Sequence, residues 1–226
     1  MTGKQNSAID LVCKIGGSLN RPEILVPLLR TLEAIGSEYR VLVVPGGGAF
    51  ADTVRTEAAT FQLGDTASHW MAILAMDQYS YLLADLGGAT RTVRTPTEIE
   101  ETIQDQALPI LLPSTLLLET DPLPHSWDVT SDTIAAYIAV QLEAELLVLL
   151  KDVDGVMTAD PREQPSAVLI PRLSPSHLAK YACVDAAFAK EVPRLRRCWI
   201  LDGRYPDRLV ALLRSGKTVG TEIETA

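Results

Sequence analysis

The chain has 226 residues, 47% hydrophobic and 22% charged, the balance of a soluble globular protein with room for one large domain or two small ones. Its formal charge of −9 argues against DNA or RNA as the main partner, because a phosphate backbone needs a basic footprint; a small anionic substrate stays open. The cysteines Cys13, Cys183 and Cys198 are widely spaced and frame neither disulfides nor a zinc site, which suits a reducing cytoplasm.

Met1 to Asp10 lacks the apolar centre of a signal peptide. The longest greasy stretch, Leu108 to Leu118, is broken by Pro109 and Pro113 and is too short for a bilayer, so no membrane partner is expected. Ile9 to Ile15 reads as a strand interrupted by Lys14 and followed by Gly16-Gly17-Ser18. A lysine at the end of a buried strand is costly to desolvate unless it meets an anion; the plainer alternative is a lysine that snorkels to solvent at a sheet edge. Glu23 to Ile35 follows as an amphipathic helix with Pro22 near its first turn.

Val41 to Val44 is the next buried strand, stopped by Pro45. Gly46, Gly47 and Gly48 carry no Cβ, so their N–H groups can close around an anion. The helix expected over Ala49 to Leu63 points its positive end at the same place. The competing reading is a tight strand-to-helix turn with no ligand.

Asp65 to Leu86 has the spacing of a long helix, with His69 near its start as a packing, capping or binding residue. Thr90 to Val93 reads as a short strand and Thr97 to Gln104 as a short helix. Pro109 to Leu112 and Thr115 to Leu118 read as strands, and Asp121 to His125 as a loop. A helix then opens at Trp127-Asp128-Val129-Thr130-Ser131-Asp132, where two carboxylates four apart exceed what one helix cap needs. Leu146 to Leu150 is a buried strand leading into a turn-rich stretch, Lys151 to Pro161. Ser176 to Tyr181 and Val184 to Val192 look helical, Cys198 to Leu201 is a strand, Pro206 to Leu213 a helix, and Thr218 to Ile223 an edge strand.

Strands alternate with helices throughout, so the class is α/β with a central, mainly parallel sheet. No linker separates independent domains, and residues 1–226 read as one domain. Acids and glycines follow the strands, where open α/β sheets bind ligands.

Four segments occur in a recognisable order: Lys14-Ile15-Gly16-Gly17-Ser18, Pro45-Gly46-Gly47-Gly48, Asp128 to Ala136, and Asp152-Val153-Asp154-Gly155-Val156. With Leu201-Asp202-Gly203-Arg204 and Gly220-Thr221-Glu222-Ile223 at the end, the chain resembles the amino acid kinase superfamily over nearly its whole length. The resemblance implies a three-layer αβα sandwich. Residues 1–125 would form an acceptor-binding half and residues 126–226 an ATP-binding half, with Mg²⁺ accompanying ATP and no metal site of the protein's own.

By the same resemblance Lys14 contacts the transferring phosphoryl group and Asp132 organises the catalytic lysines. Gly16, Gly17 and Ser18 would meet the ATP phosphates, while Lys151, Asp152, Gly155, Val156 and Asp160 would hold the nucleotide. Gly46, Gly47 and Gly48 would cradle the acceptor, with Arg55 and His69 as further donors. Many members carry a second catalytic lysine where this chain has Cys183; of the flanking Lys180 and Lys190, Lys190 is the substitute expected.

The helix Ala67 to Asp77, the run Ser126 to Asp132, and Asp202 to Pro206 resemble the branch of aminomethylfuran-methyl phosphate kinases in methanofuran-type cofactor biosynthesis. That branch suggests Asp128 as partner for a substrate ammonium, the alternative being a helix-capping acid. The implied partner is a small phosphate acceptor, and relatives commonly assemble as homo-oligomers. Uridylate, isopentenyl phosphate, an amino-acid carboxylate, or a non-catalytic nucleotide-storage role are the alternatives.

Overall fold

In the computed structural model, which describes residues 9–161, 163–178, 180–181 and 183–225, the apolar runs form one eight-stranded sheet. β1 (Leu11–Ile15) lies at its centre, paired in parallel with β2 (Val41–Pro45) on one side and β5 (Leu146–Lys151) on the other. Beyond β2 come β4 (Leu108–Leu111) and β3 (Thr90–Val93). Beyond β5 come β7 (Cys198–Asp202), β8 (Thr221–Ile223) and β6 (Arg172–Leu173). Every pairing is parallel except that of β7 with β8.

Successive side chains of a strand leave opposite faces, and the core divides accordingly. Val12, Leu42, Val44, Leu147 and Leu149 meet one helical layer built from α4 (Pro96–Gln104), α5 (Pro113–Thr120), α6 (Ser131–Gln141) and α8 (Phe188–Glu191). Leu11, Cys13, Ile15, Val41, Val43, Val148 and Leu150 meet the other, where α1 (Pro22–Gly36) and α9 (Asp207–Ser215) supply Leu25, Leu28, Leu29, Leu209 and Leu212. The long α3 (Asp65–Leu86) serves both, with Ile73 and Met76 in the first layer and Tyr79 and Leu83 in the second. Each such apolar side chain contributes roughly 1.5–3 kcal/mol when fully buried. The result is a three-layer αβα sandwich with a mainly parallel sheet.

The chain leaves β1 toward β2 and comes back to its other side at β5. The loops after these three strands therefore diverge and leave a crevice at their carboxyl ends, where such sheets bind ligands. α2 (Gly48–Phe61) and α3 wall one side of it. Among the described residues no helix is long and apolar enough to cross a membrane.

Four local expectations are corrected. Thr115 to Leu118 is the middle of α5, not a strand: Pro113 starts the helix, Leu117 turns inward, and Leu118 is exposed. A short run of leucines has no period of its own, so packing chose the helix. The last strand is not at an edge, because β6 lies outside it; two residues long, β6 leaves no readable pattern. Of Val184 to Val192 only Phe188–Glu191 is α-helical, since Asp185 accepts the Phe188 amide at its start and Pro193 follows in a 3₁₀ turn over Val192–Arg194. α7 covers Pro175–Leu178 of the helix expected over Ser176 to Tyr181, and residue 179 lies outside the described residues.

Candidate active site

Lys14 shares its strand face with Val12, so it projects toward α6 rather than into the α1 layer. It pairs in register with Leu149, and Lys151, two residues further along β5, leaves the same face. Both ammonium groups converge on Asp132 in the first turn of α6. Lys14 Nζ stands 2.8 Å from Asp132 Oδ1, and Lys151 Nζ donates to Oδ2 at 2.7 Å. Lys14 is 4% and Asp132 3% exposed.

Burial alone would push the Asp132 carboxyl up, but the two ammonium groups outweigh it and hold its pKa at about 2. Burial lowers the pKa of Lys14, Asp132 opposing the shift and the Lys151 charge adding to it. For Lys151 burial also works downward, yet Asp132 prevails and its pKa rises. Two cations on one carboxylate leave an excess positive charge in a poorly solvated place, and an anion is what would balance it.

α6 is fixed at this end by Asp185. Its carboxylate accepts from the amide and hydroxyl of Thr130, the amide and hydroxyl of Thr133, and the Phe188 amide. The Thr130 hydroxyl, in turn, accepts the Asp132 amide. A carboxylate so saturated with donors locks the helix start, and with it the direction of Asp132.

The cluster forms the floor of a cavity of about 780 Å³. Gly47 and Gly48 line it together with Gly16, Gly17 and Ser18, so the two glycine loops and Lys14 face one space. The loops touch: a Cβ on Gly17 would lie 2.6 Å from the Gly48 Cα and amide nitrogen, and Gly48 has a φ of +54°. Only glycine fits both positions. Amides in the first turn of a helix have no partner within it, which leaves Gly48 at the start of α2 able to receive an anion.

Not every sequence-selected residue offers a free group to this space. The Gly16 amide donates to the Leu150 carbonyl at 2.9 Å and the Gly46 amide to Ile15 at 2.8 Å, extending the parallel ladders past the strand ends, so neither is free for phosphate. Asp152, Gly155 and Asp160 line the cavity, but Val156 is buried in the core, its amide donating to the Thr221 hydroxyl. Arg55 and His69 also line the cavity. Arg55 pairs with Asp52 at 3.0 Å and its guanidinium lies 5.1 Å from the centre of the Trp127 ring.

Asp128 is exposed and outside the cavity wall, its carbonyl accepting the Ala187 amide. Lys190 is also exposed and away from it: α8 turns Phe188 into the core, which carries Lys190 outward. Lys151 instead is the second lysine that meets Asp132. Cys183 does line the cavity, and burial keeps its thiol pKa raised and the group neutral.

Sequence reasoning passed over Asp185. It also passed over Asp52, Asp65 and Trp127, which line the end walled by α2 and α3. No local pattern marks these three; the approach of distant elements does.

Residues 11–191 match the Amino acid kinase family. An aminomethylfuran-methyl phosphate kinase from Methanocaldococcus jannaschii is 29% identical, with 94% of this chain and 96% of that one aligned. A uridylate kinase from Thermococcus gammatolerans is 30% identical over 95% of this chain and 99% of its own. The crystal structure of the Archaeoglobus fulgidus uridylate kinase superposes with a TM-score of 0.75 at 24% identity, covering 96% of this chain and all of that one. The product complex of T. acidophilum isopentenyl phosphate kinase superposes with a TM-score of 0.66 at 20% identity, covering 95% of this chain and 100% of that one.

Proposed function

The chain belongs to the amino acid kinase family and is a small-molecule kinase, and on that premise we propose that it transfers the γ-phosphoryl group of ATP to an aminomethylfuran-methyl phosphate, forming a diphosphate. The observation that carries the transfer is the Lys14–Asp132–Lys151 cluster at the meeting point of the two glycine loops.

ATP supplies the activated phosphoryl group. An acceptor phosphate is already largely ionised at neutral pH, so its oxygen needs no general base to attack the γ-phosphorus in line. One P–O bond forms, the bond to the β-phosphate oxygen breaks, and ADP leaves with the electron pair. Lys14 and Lys151, held on Asp132, would neutralise charge on the transferring group. Asp132 cannot take up a proton near neutrality, because its pKa lies at about 2; its part is to hold the two ammonium groups in place. The same two contacts occupy both its oxygens, so Mg²⁺ would be held by phosphate oxygens and water rather than by Asp132. Among the residues lining the cavity, Asp152, Gly155 and Asp160 would then serve the nucleotide, and Gly47, Gly48 and Arg55 the acceptor.

An acceptor with an ammonium needs a carboxylate within the cavity. Asp65 supplies one, whereas Asp128 lies outside the wall and Asp52 is paired with Arg55. Uridylate is the second reading, favoured by the 30% identity to a uridylate kinase. An acceptor panel with ADP release as readout separates them. The furan phosphate should give turnover, and Asp65→Asn should raise its KM selectively. Turnover with uridylate or isopentenyl phosphate and none with the furan compound would overturn the substrate assignment.

A further inference from the structure

Beside the cavity, apart from the lysine cluster, two imidazoles and a carboxylate come together, and of the three His69 lines the cavity. His69 comes from the second turn of α3, while Asp121 and His125 come from the loop after α5. The ligand atoms of all three lie within 4.8 Å of one another. We propose that His69, His125 and Asp121 form a binding site for a divalent cation of the zinc class.

The two partners of the His125 ring are the first support. One ring nitrogen, Nδ1, lies 2.9 Å from the Thr66 hydroxyl, and the other, Nε2, lies 2.8 Å from Asp121 Oδ1. If Nδ1 donates to Thr66, the Nε2 lone pair faces a carboxylate, an arrangement that a cation between the two atoms would complete. A hydrogen bond from the nitrogen remote from the metal is how ligating histidines are usually held. Asp121 gives the second. It adopts a left-handed backbone, φ 39° and ψ 56°, which is uncommon outside glycine and aims its side chain back at His125.

The His69 and His125 rings lie 4.4 Å apart, and Trp70 packs edge-on to both at 5.3 and 5.7 Å, which leaves the imidazoles few rotamers. A tetrahedral zinc ion with bonds of about 2.0–2.1 Å sets its ligand atoms roughly 3.4 Å apart. Closing from 4.8 Å takes a small rotation of the rings. Two imidazoles and one carboxylate suit zinc better than calcium or magnesium, which prefer oxygen ligands. The carboxylate also disfavours an anion as occupant. Because His69 lines the cavity, the fourth coordination position opens toward it. The ion would tie the loop carrying Trp127 to α3 and so set one wall of the cavity.

The test uses the full chain stripped with a chelator and titrated with Zn²⁺ by calorimetry, and with Co²⁺ by visible absorption. One ion per chain and the strong visible bands of tetrahedral Co²⁺ are expected. His125→Gln and Asp121→Asn should each weaken Zn²⁺ binding about 100-fold or more, and Thr66→Ala about 10-fold, with thermal stability of the metal-free protein unchanged. Cys183→Ser should bind as tightly as the parent chain. Absence of binding would overturn the proposal, as would affinity unchanged in both ligand variants or lost in Cys183→Ser. None of these readouts depends on turnover, so they stand apart from the assignment of the acceptor.

Discussion

Replacing Asp132 by asparagine keeps the side-chain shape and removes the charge that two buried ammonium groups share at 2.8 and 2.7 Å. At an effective dielectric constant of about 20, two unit charges about 3 Å apart interact by roughly 6 kcal/mol, and desolvation offsets much of that. Removing one partner of a buried ion pair typically costs about 3–5 kcal/mol, and here the variant also leaves two like charges facing each other. Urea denaturation at pH 7 should therefore show Asp132→Asn to be about 3–5 kcal/mol less stable than the parent, if it folds. Burial already lowers the Lys14 pKa, and loss of Asp132 lowers it further. The unfolded chain then binds more protons than the folded one, so stability rises with pH. The deficit should shrink between pH 7 and 10. The double variant Asp132→Asn with Lys14→Met removes one of the two charges and should recover roughly half of the loss, about 2 kcal/mol. A deficit that stays the same at every pH and in the double variant would refute the electrostatic account of the cluster.

Lys14→Ala should lower kcat by about 10²–10³-fold in the ADP-release assay with little change in the KM for acceptor, because the lysine acts on charge that develops during transfer. Asp132 should also make the parent acid-labile. With its folded pKa at about 2 against 3.8 for the free group, it contributes about 2 kcal/mol that is fully present above pH 4 and lost as pH falls toward 2; urea midpoints at pH 5 and 2.5 measure this, and Asp132→Asn should lack the component. Asp185→Asn keeps one acceptor oxygen for the donors from Thr130, Thr133 and Phe188, so it should lower thermal stability and reduce kcat through loosening of the α6 start. Gly17→Ala places a methyl 2.6 Å from the Gly48 backbone and should depress kcat/KM for both substrates together, since the two loops must separate.

The sequence was legible where a local period or a special residue carries the information. Asp65–Leu86 runs for twenty-two residues without a proline or glycine, and prolines or glycines punctuate the ends of β2 and several helices. Thr115 to Leu118 was not legible, because three consecutive leucines satisfy strand and helix alike until Asp77 of α3 meets the Ser114 amide. The two-residue β6 exists only because β8 offers it an edge.

For the site, a buried lysine and consecutive glycines, costly without a ligand, pointed to Lys14 and the glycine turns, and the family resemblance pointed to Asp132. The partnership of Lys151 with Asp132 was not readable in the same way: it follows from the in-register pairing of β1 with β5, across more than a hundred residues of chain. Nor was the exclusion of Asp128, Val156 and Lys190 from the cavity, which is decided by which way each backbone turns after its strand or helix.

The amino-acid order by itself determined the α/β class, the strand-end glycines and the first lysine, because these rest on short-range sterics and the cost of burying charge. Tertiary structure alone decided that two lysines share one aspartate and that His69 meets Asp121 and His125, because a side chain's electrostatic surroundings come from elements remote in sequence that packing brings together.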